Sequence, residues 1–346
     1  MAAAKGTIIV TGANGGLGSA IVKQIISSPE LSAYHGLYTV RNAVSAPGLR
    51  SVLEVSQSHS FDVVSLDLAN LDSVRQAASS INDRVAAGEI PPIRALILNA
   101  GCHEYAMQTW TADGLDTCFA SNYLGHWLLT LFLLKSMDRE VGRVVAIGSQ
   151  AHDPYDDRNK SGKAFEAEKW KTIFPDADDI DPIAKGTWST VKDDPSWRSG
   201  FRRYGASKLC LVMMMDELQR RLDTDPVLKN ICVLAVDPGT MSTGLARHAP
   251  WFIRILMFKI VFPLLVLLKP NGTIRSPGKS AADVLAAAFD SSPVLGQYPK
   301  GVYLNGSEPA ETSAESRDVR KRVLLWKESL RYTHLQKEET ILVNWD

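Results

Sequence analysis

Thr11-Gly12-Ala13-Asn14-Gly15-Gly16-Leu17-Gly18 decides the fold. It closes a short β-branched run at 7–10 and opens an apolar helical stretch at 17–26. Glycines let a backbone turn tightly and approach a pyrophosphate, while the following helix offers free N–H groups and the positive end of its dipole. No Gly-Lys-Ser/Thr follows, which excludes a Walker phosphate loop. A glycine turn between strand and helix predicts a nucleotide site; the alternative is a turn without a ligand.

Outward from this turn the chain keeps alternating. Residues 37–40 and 61–68 are strand-like, and 70–87 is helical, with Leu71, Val74, Ala78, Ile81 and Val85 on one stripe. An apolar strand at 95–98, a long helix at 115–137 and another apolar strand at 144–147 follow. Strands apolar throughout, separated by helices, predict an α/β fold, a doubly wound parallel sheet of the Rossmann type covered on both faces. The pattern breaks over 151–203, rich in Asp, Lys, Trp and Pro, and resumes with a helix at 204–222 and a strand at 231–236. A very apolar segment at 251–268, a helix at 276–289, a strand at 301–304 and a charged tail with a helix near 314–331 complete the chain. One domain is expected over 1–310, with an insertion at 151–203 and a lid at 240–270, followed by the tail at 311–346.

The 346 residues carry 38 Lys and Arg against 38 Asp and Glu, and 45% are hydrophobic. Zero net charge gives no basic face for nucleic acid. A chain this long buries a core without disulfides. Cys102, Cys118, Cys210 and Cys232 lack C-x-x-C spacing, and the first residues lack a basic-then-apolar leader. A reducing, cytoplasmic setting is expected.

Two further features carry chemistry. The second strand ends Tyr38-Thr39-Val40-Arg41-Asn42. An NAD site places a carboxylate here for the ribose hydroxyls; Arg41 instead suits a 2′-phosphate. Tyr204-Gly205-Ala206-Ser207-Lys208 sets a phenol and an ammonium four residues apart on one helical face. A neighbouring ammonium favours the phenolate, predicting a phenol pKa lowered towards neutrality and a usable acid.

With Asn99-Ala100-Gly101 after the fourth strand, Asn122 in Asn-Tyr-Leu-Gly-His, Ser149 ending the fifth strand and Pro238-Gly239 after the sixth, the chain resembles the short-chain dehydrogenase/reductase family over roughly residues 5–305. Gly148-Ser149-Gln150-Ala151-His152, 204–211 and 239–245 look like its retinol dehydrogenase and protochlorophyllide reductase branch, whose members use NADP(H) on bulky apolar alcohols, aldehydes or ketones. The resemblance implies that Tyr204 exchanges the proton at the substrate oxygen and Ser149 polarises that oxygen. Lys208 would tune the phenol and hold the nicotinamide ribose, and Asn122 would support a proton-relaying water. It further implies that Gly12, Asn14, Gly16, Leu17 and Gly18 cradle the pyrophosphate. Asp67 and Leu68 would lie beside the adenine, Asn99, Ala100 and Gly101 along the ribose, and Pro238, Gly239 and Thr240 at the nicotinamide. The segment between Ser149 and Tyr204 is longer, more acidic and more aromatic than that branch usually has, so the substrate is not carried across.

His103, His126 and His152 do not share metal-ligand spacing, and no metal is expected. Trp110, Trp188 and Trp197 either line a pocket or pack under loops. Arg254, Lys259 and Pro263 interrupt 251–268, so an apolar lid is preferred to a membrane span, with peripheral membrane contact as the alternative. The expected activity is NADPH-dependent reduction of a ketone or aldehyde on an apolar small molecule, or the reverse oxidation. A non-catalytic NADP(H)-binding regulator is the alternative, and the family's homodimer stays open.

Overall fold

Apolar runs without a polar face must be covered on both sides, and the chain does this. In the computed structural model, which describes residues 4–54, 59–174, 179–241, 272–293 and 295–346, every residue of β1 (Thr7–Val10), β2 (His35–Val40), β5 (Arg143–Ile147) and β6 (Cys232–Asp237) is buried. With β3 (Phe61–Ser65), β4 (Ile93–Leu98), β7 (Tyr303–Asn305) and β8 (Glu308–Pro309) they form one sheet, ordered β3-β2-β1-β4-β5-β6-β7-β8. Neighbours from β3 to β7 are parallel; β8 returns antiparallel to β7.

Alternation along each strand sends Ile9, Leu37, Leu96 and Val144 into one core and Ile8, Tyr38, Ile97 and Val145 into the other. Helices Leu71–Ala86, Gly125–Leu133, Trp197–Asp223 and Val319–Thr333 cover the first face; Gly16–Ser27, Pro47–Leu53 and Pro277–Phe289 cover the second. Strand order reverses at β1, with β2 and β3 on one side and β4 onward on the other, so the carboxyl ends of β1 and β4 border a ligand crevice.

Three expectations change in detail. The helix expected at 115–137 is interrupted: Thr117–Phe119 leads into a π turn at Ala120–Leu124, then Gly125–Leu133 and a tight turn at Leu134–Ser136. Gly125 allows this segment to lie directly on the Leu68 carbonyl, where an added Cβ would come within 2.1 Å. The second difference is at the helix expected to start at Tyr204. It starts at Trp197, capped by Ser196, whose hydroxyl accepts from the Arg198 N–H. Its extra turns hide from a hydrophobic-period reading because Arg202 and Arg203 are buried in them, paired with Asp194 and Asp116. Third, the strand expected at 61–68 stops at Ser65.

The residues after 310 pack closely. Leu325 and Trp326 enter the larger core, Tyr123 and Ser329 share a buried hydrogen bond, and the Trp326 indole donates to the Trp345 carbonyl. The segment 251–268, and the lid expected at 240–270 beyond Met241 as far as 270, lie outside the described residues. Among the described residues no helix is long and apolar enough to cross a membrane.

Candidate active site

The glycine turn is held by close backbone packing. Gly12 sits at φ +64°, and a Cβ there would meet the Ala100 Cα at 2.8 Å; a Cβ on Gly18 would stand 2.3 Å from the Gly12 carbonyl. Helix Gly16–Ser27 begins with no side-chain cap, so its first N–H groups face the crevice without a protein acceptor of that kind. The Asn14 carboxamide oxygen accepts from the Leu49 N–H at 3.1 Å and fastens the short Pro47–Leu53 helix beside the turn. The Thr11 hydroxyl accepts from the N–H groups of Asn99 and Ala100, both at 2.9 Å, while the Asn99 carboxamide donates to the Thr11 carbonyl at 2.7 Å. These bonds lock the ends of β1 and β4 together.

All the expected site residues except Asn122 line one cavity of about 940 Å³. Asp67 and Leu68 stand on its wall with Asn99, Ala100 and Gly101, and Pro238, Gly239 and Thr240 on another part, while Arg41 is exposed at its edge. Asp67 turns its own chain, accepting from the Ala69 N–H at 3.1 Å. Gly239 takes φ +73°, a conformation that favours glycine. Ser149, Tyr204 and Lys208 share the cavity with the glycine turn.

Asn122 lies fully buried behind the wall. Its Oδ1 accepts from the Cys102 N–H at 2.8 Å, and its Nδ2 donates to the Cys102 carbonyl at 3.0 Å and to the Ser207 hydroxyl at 2.9 Å. Ser207 in turn donates to the Tyr204 carbonyl at 2.7 Å. The π turn thus connects the loop after β4 to the helix carrying Tyr204; π turns often mark functional sites.

Lys208 Nζ donates to the Ile147 carbonyl at 2.8 Å, and burial lowers its pKa to about 8. The expected lowering of the Tyr204 phenol does not occur: burial pushes it above the usual tyrosine range, and a hydrogen bond with Ser149 only partly opposes this. Desolvation dominates and the nearby Asp237 raises the phenol further, so it keeps its proton at neutral pH.

Two histidines brace the site, and nothing in their isolated sequence positions signalled it. His126 Nδ1 lies 3.0 Å from the Asn122 carbonyl, an acceptor only, so Nδ1 carries the proton and Nε2 accepts from the Thr11 hydroxyl at 2.9 Å. Burial holds the pKa of His126 down to about 4. His152 donates to the Ser149 carbonyl at 2.7 Å and accepts from the Ser313 N–H at 3.1 Å. A third brace comes from the insertion: Arg158 pairs with Asp156 at 2.6 Å and with Asp237, the residue before Pro238, at 2.9 Å. Buried charge is invisible to periodicity, and spacing of 79 residues leaves no local motif.

The three tryptophans divide: Trp197 lines the cavity, Trp188 packs against the larger core, and Trp110 is exposed with its indole donating to the Lys185 carbonyl. Of the cysteines, Cys102 and Cys118 approach to 3.6 Å between sulfurs.

Comparison with known proteins agrees with this architecture. A family model described as short chain dehydrogenase matches residues 6–161. The chain is 46% identical to the short-chain dehydrogenase iccH of Talaromyces variabilis, over 99% of both chains. It is 29% identical to protochlorophyllide reductase A of Arabidopsis thaliana, over 94% of this chain and 76% of the relative. Its fold matches an NADPH-bound carbonyl reductase from chicken fatty liver with a TM-score of 0.57 at 16% identity, covering 90% of this chain and all of the other.

Proposed function

Because the chain belongs to the short-chain dehydrogenase family, we propose that it reduces a ketone or aldehyde on an apolar small molecule with NADPH, its cavity holding both. The observation that carries this reading is the single cavity in which the glycine turn meets Ser149, Tyr204 and Lys208. The cradle fits a dinucleotide: side chains are excluded at Gly12 and Gly18, and the adjoining helix start is uncapped. Gly12, Asn14, Gly16, Leu17 and Gly18 would hold the pyrophosphate and Arg41 the 2′-phosphate. Asp67 and Leu68 would border the adenine, Asn99, Ala100 and Gly101 the ribose, and Pro238, Gly239 and Thr240 the nicotinamide. When bound, the reduced nicotinamide supplies the hydride.

The chain's own residues handle the proton. Ser149 donates a hydrogen bond to the carbonyl oxygen and draws electron density onto it. Tyr204, protonated at neutral pH because it is buried, passes its hydroxyl proton to that oxygen as charge develops there. Lys208, on the same helix face, holds the ribose and stabilises the phenolate left behind. Asn122 fixes the Cys102 backbone and the Ser207 hydroxyl, and through them the approach of the helix to the crevice. A regulator that only senses NADP(H) would need the glycine turn but not this acid.

The test is consumption of NADPH by the purified protein across a panel of apolar ketones and aldehydes, with NADPH affinity measured separately by calorimetry. Turnover lost in Tyr204→Phe with unchanged NADPH affinity is expected. NADPH binding without consumption on any carbonyl would overturn the reading in favour of a sensor.

A further inference from the structure

The cavity has an aromatic wall that the roles above do not use. It starts at the reacting phenol. The His103 ring lies nearly parallel to the Tyr204 ring, with centroids 5.1 Å apart and planes at 25°, and its ring also stacks on Tyr105 at 3.9 Å and 18°. Phe201 stands 5.8 Å from His103 and 6.4 Å from Tyr204, and Trp197 meets Phe201 edge-on at 5.7 Å. All five line the cavity. Trp197, Phe201 and Tyr204 recur at spacings of four and three, so one face of the helix presents them together.

The wall is built with strain. Tyr105 takes φ +37°, a left-handed conformation that a bulky residue avoids. Gly200, one turn before Tyr204, makes room for it: a Cβ there would stand 1.9 Å from the Tyr105 carbonyl oxygen. A strained residue held by a glycine cut into the facing helix marks a feature the surroundings enforce. His103 contributes a flat neutral ring, since burial and the Arg203 charge hold its pKa down to about 3, and its Nε2 is buried with no hydrogen-bond partner. A neutral, flat, mostly apolar surface beside an acid favours stacking by offset or edge contact.

We propose that His103, Tyr105, Phe201 and Trp197 select a planar, unsaturated ring system fused or conjugated to the carbonyl that Tyr204 protonates, in preference to a puckered aliphatic ketone of equal size. This rests on the function proposed above and names its substrate class. Aromatic pairs gain from ring geometry beyond the area they bury, and a saturated ring covers the same area without that gain.

The probes are 1-tetralone and 1-decalone, which share a bicyclic ketone skeleton and differ in one aromatic ring. Each is titrated into the NADPH-loaded protein by calorimetry, and kcat/KM is measured where turnover occurs. Wild type is expected to bind 1-tetralone at least fivefold more tightly. Phe201→Leu should reduce the ratio to below twofold, and Phe201→Tyr, which keeps the ring, should restore it, with NADPH affinity equal in all three. Equal binding of the two ketones by wild type overturns the proposal, as does a ratio that survives in both Phe201→Leu and His103→Leu. Selective binding of 1-tetralone without turnover leaves the wall's role standing and counts against the reductase reading alone.

Discussion

Replacing Arg158 with alanine removes the cation facing Asp237 and leaves that carboxylate with 1% of its side-chain surface in water. The Gly239 N–H still donates to Asp237 Oδ1 at 2.9 Å, so one oxygen keeps a partner while Oδ2 loses its guanidinium. Breaking a buried pair by removing one partner costs about 3–5 kcal/mol. Arg158 is itself 21% exposed, so water screens part of the loss and the cost falls just below that scale, about 2–3 kcal/mol. Unfolding entropy near 2.1 cal/mol/K per residue over 346 residues gives about 0.7 kcal/mol/K, so Tm should drop by roughly 3–4 °C. The assay is thermal unfolding of wild type, Arg158→Ala, and Arg158→Ala combined with Asp237→Asn. The combined variant removes the stranded charge and should recover at least half of the loss. A Tm for Arg158→Ala within a degree of wild type, or no recovery in the combined variant, would refute the reasoning.

Other expectations follow from the site. Tyr204→Phe should lower kcat by about 100- to 10,000-fold, the range for a lost general acid; retention of a third of wild-type kcat would remove Tyr204 from the chemistry. Arg41 is exposed at the cavity edge, so its charge-assisted contact to a 2′-phosphate should be worth near 1.5 kcal/mol, about tenfold in kcat/KM for NADPH over NADH. Arg41→Ala should erase that preference, and an unchanged ratio would make it a solvated surface residue. His126 is held neutral, its folded pKa of about 4 lying below the ordinary 6.5. The stability this contributes is complete above pH 6.5 and is lost as pH falls through about 4, on the order of 3 kcal/mol at most. His126→Asn should therefore flatten the decline in stability between pH 6.5 and 4; an identical slope in wild type and variant would contradict it.

What the sequence made legible was periodic or contiguous. The run at 7–10, the glycine turn, the apolar strands and the Tyr204–Lys208 pair are local patterns, and each lies where the alternation of strand and helix put it. What escaped depends on charge hidden from water or on partners far along the chain. Arg202 and Arg203 look like a solvated surface and are instead buried against Asp194 and Asp116. That kept the first turns of the Trp197–Asp223 helix, and with them Trp197 and Phe201, out of the predicted element. The phenol pKa went the wrong way for a related reason: spacing shows which charge is near, but it does not show how much water burial removes.

The edge-on contact of Trp127 and Trp326, 5.2 Å between ring centroids, has a consequence for synthesis. The two residues are 199 positions apart in the chain. At roughly 5–20 residues per second on the ribosome, Trp127 would wait about 10–40 s for its cover. Phe119 and Tyr332, which also meet across this seam, would wait similarly. During that interval the first half of the sheet can form around β1, yet the side of the Gly125–Leu133 helix that Trp326 covers stays open to other nascent chains. Chaperone dependence should therefore concentrate late in translation, and slowing elongation between the codons for Trp127 and Trp326 should raise aggregation more than slowing it earlier.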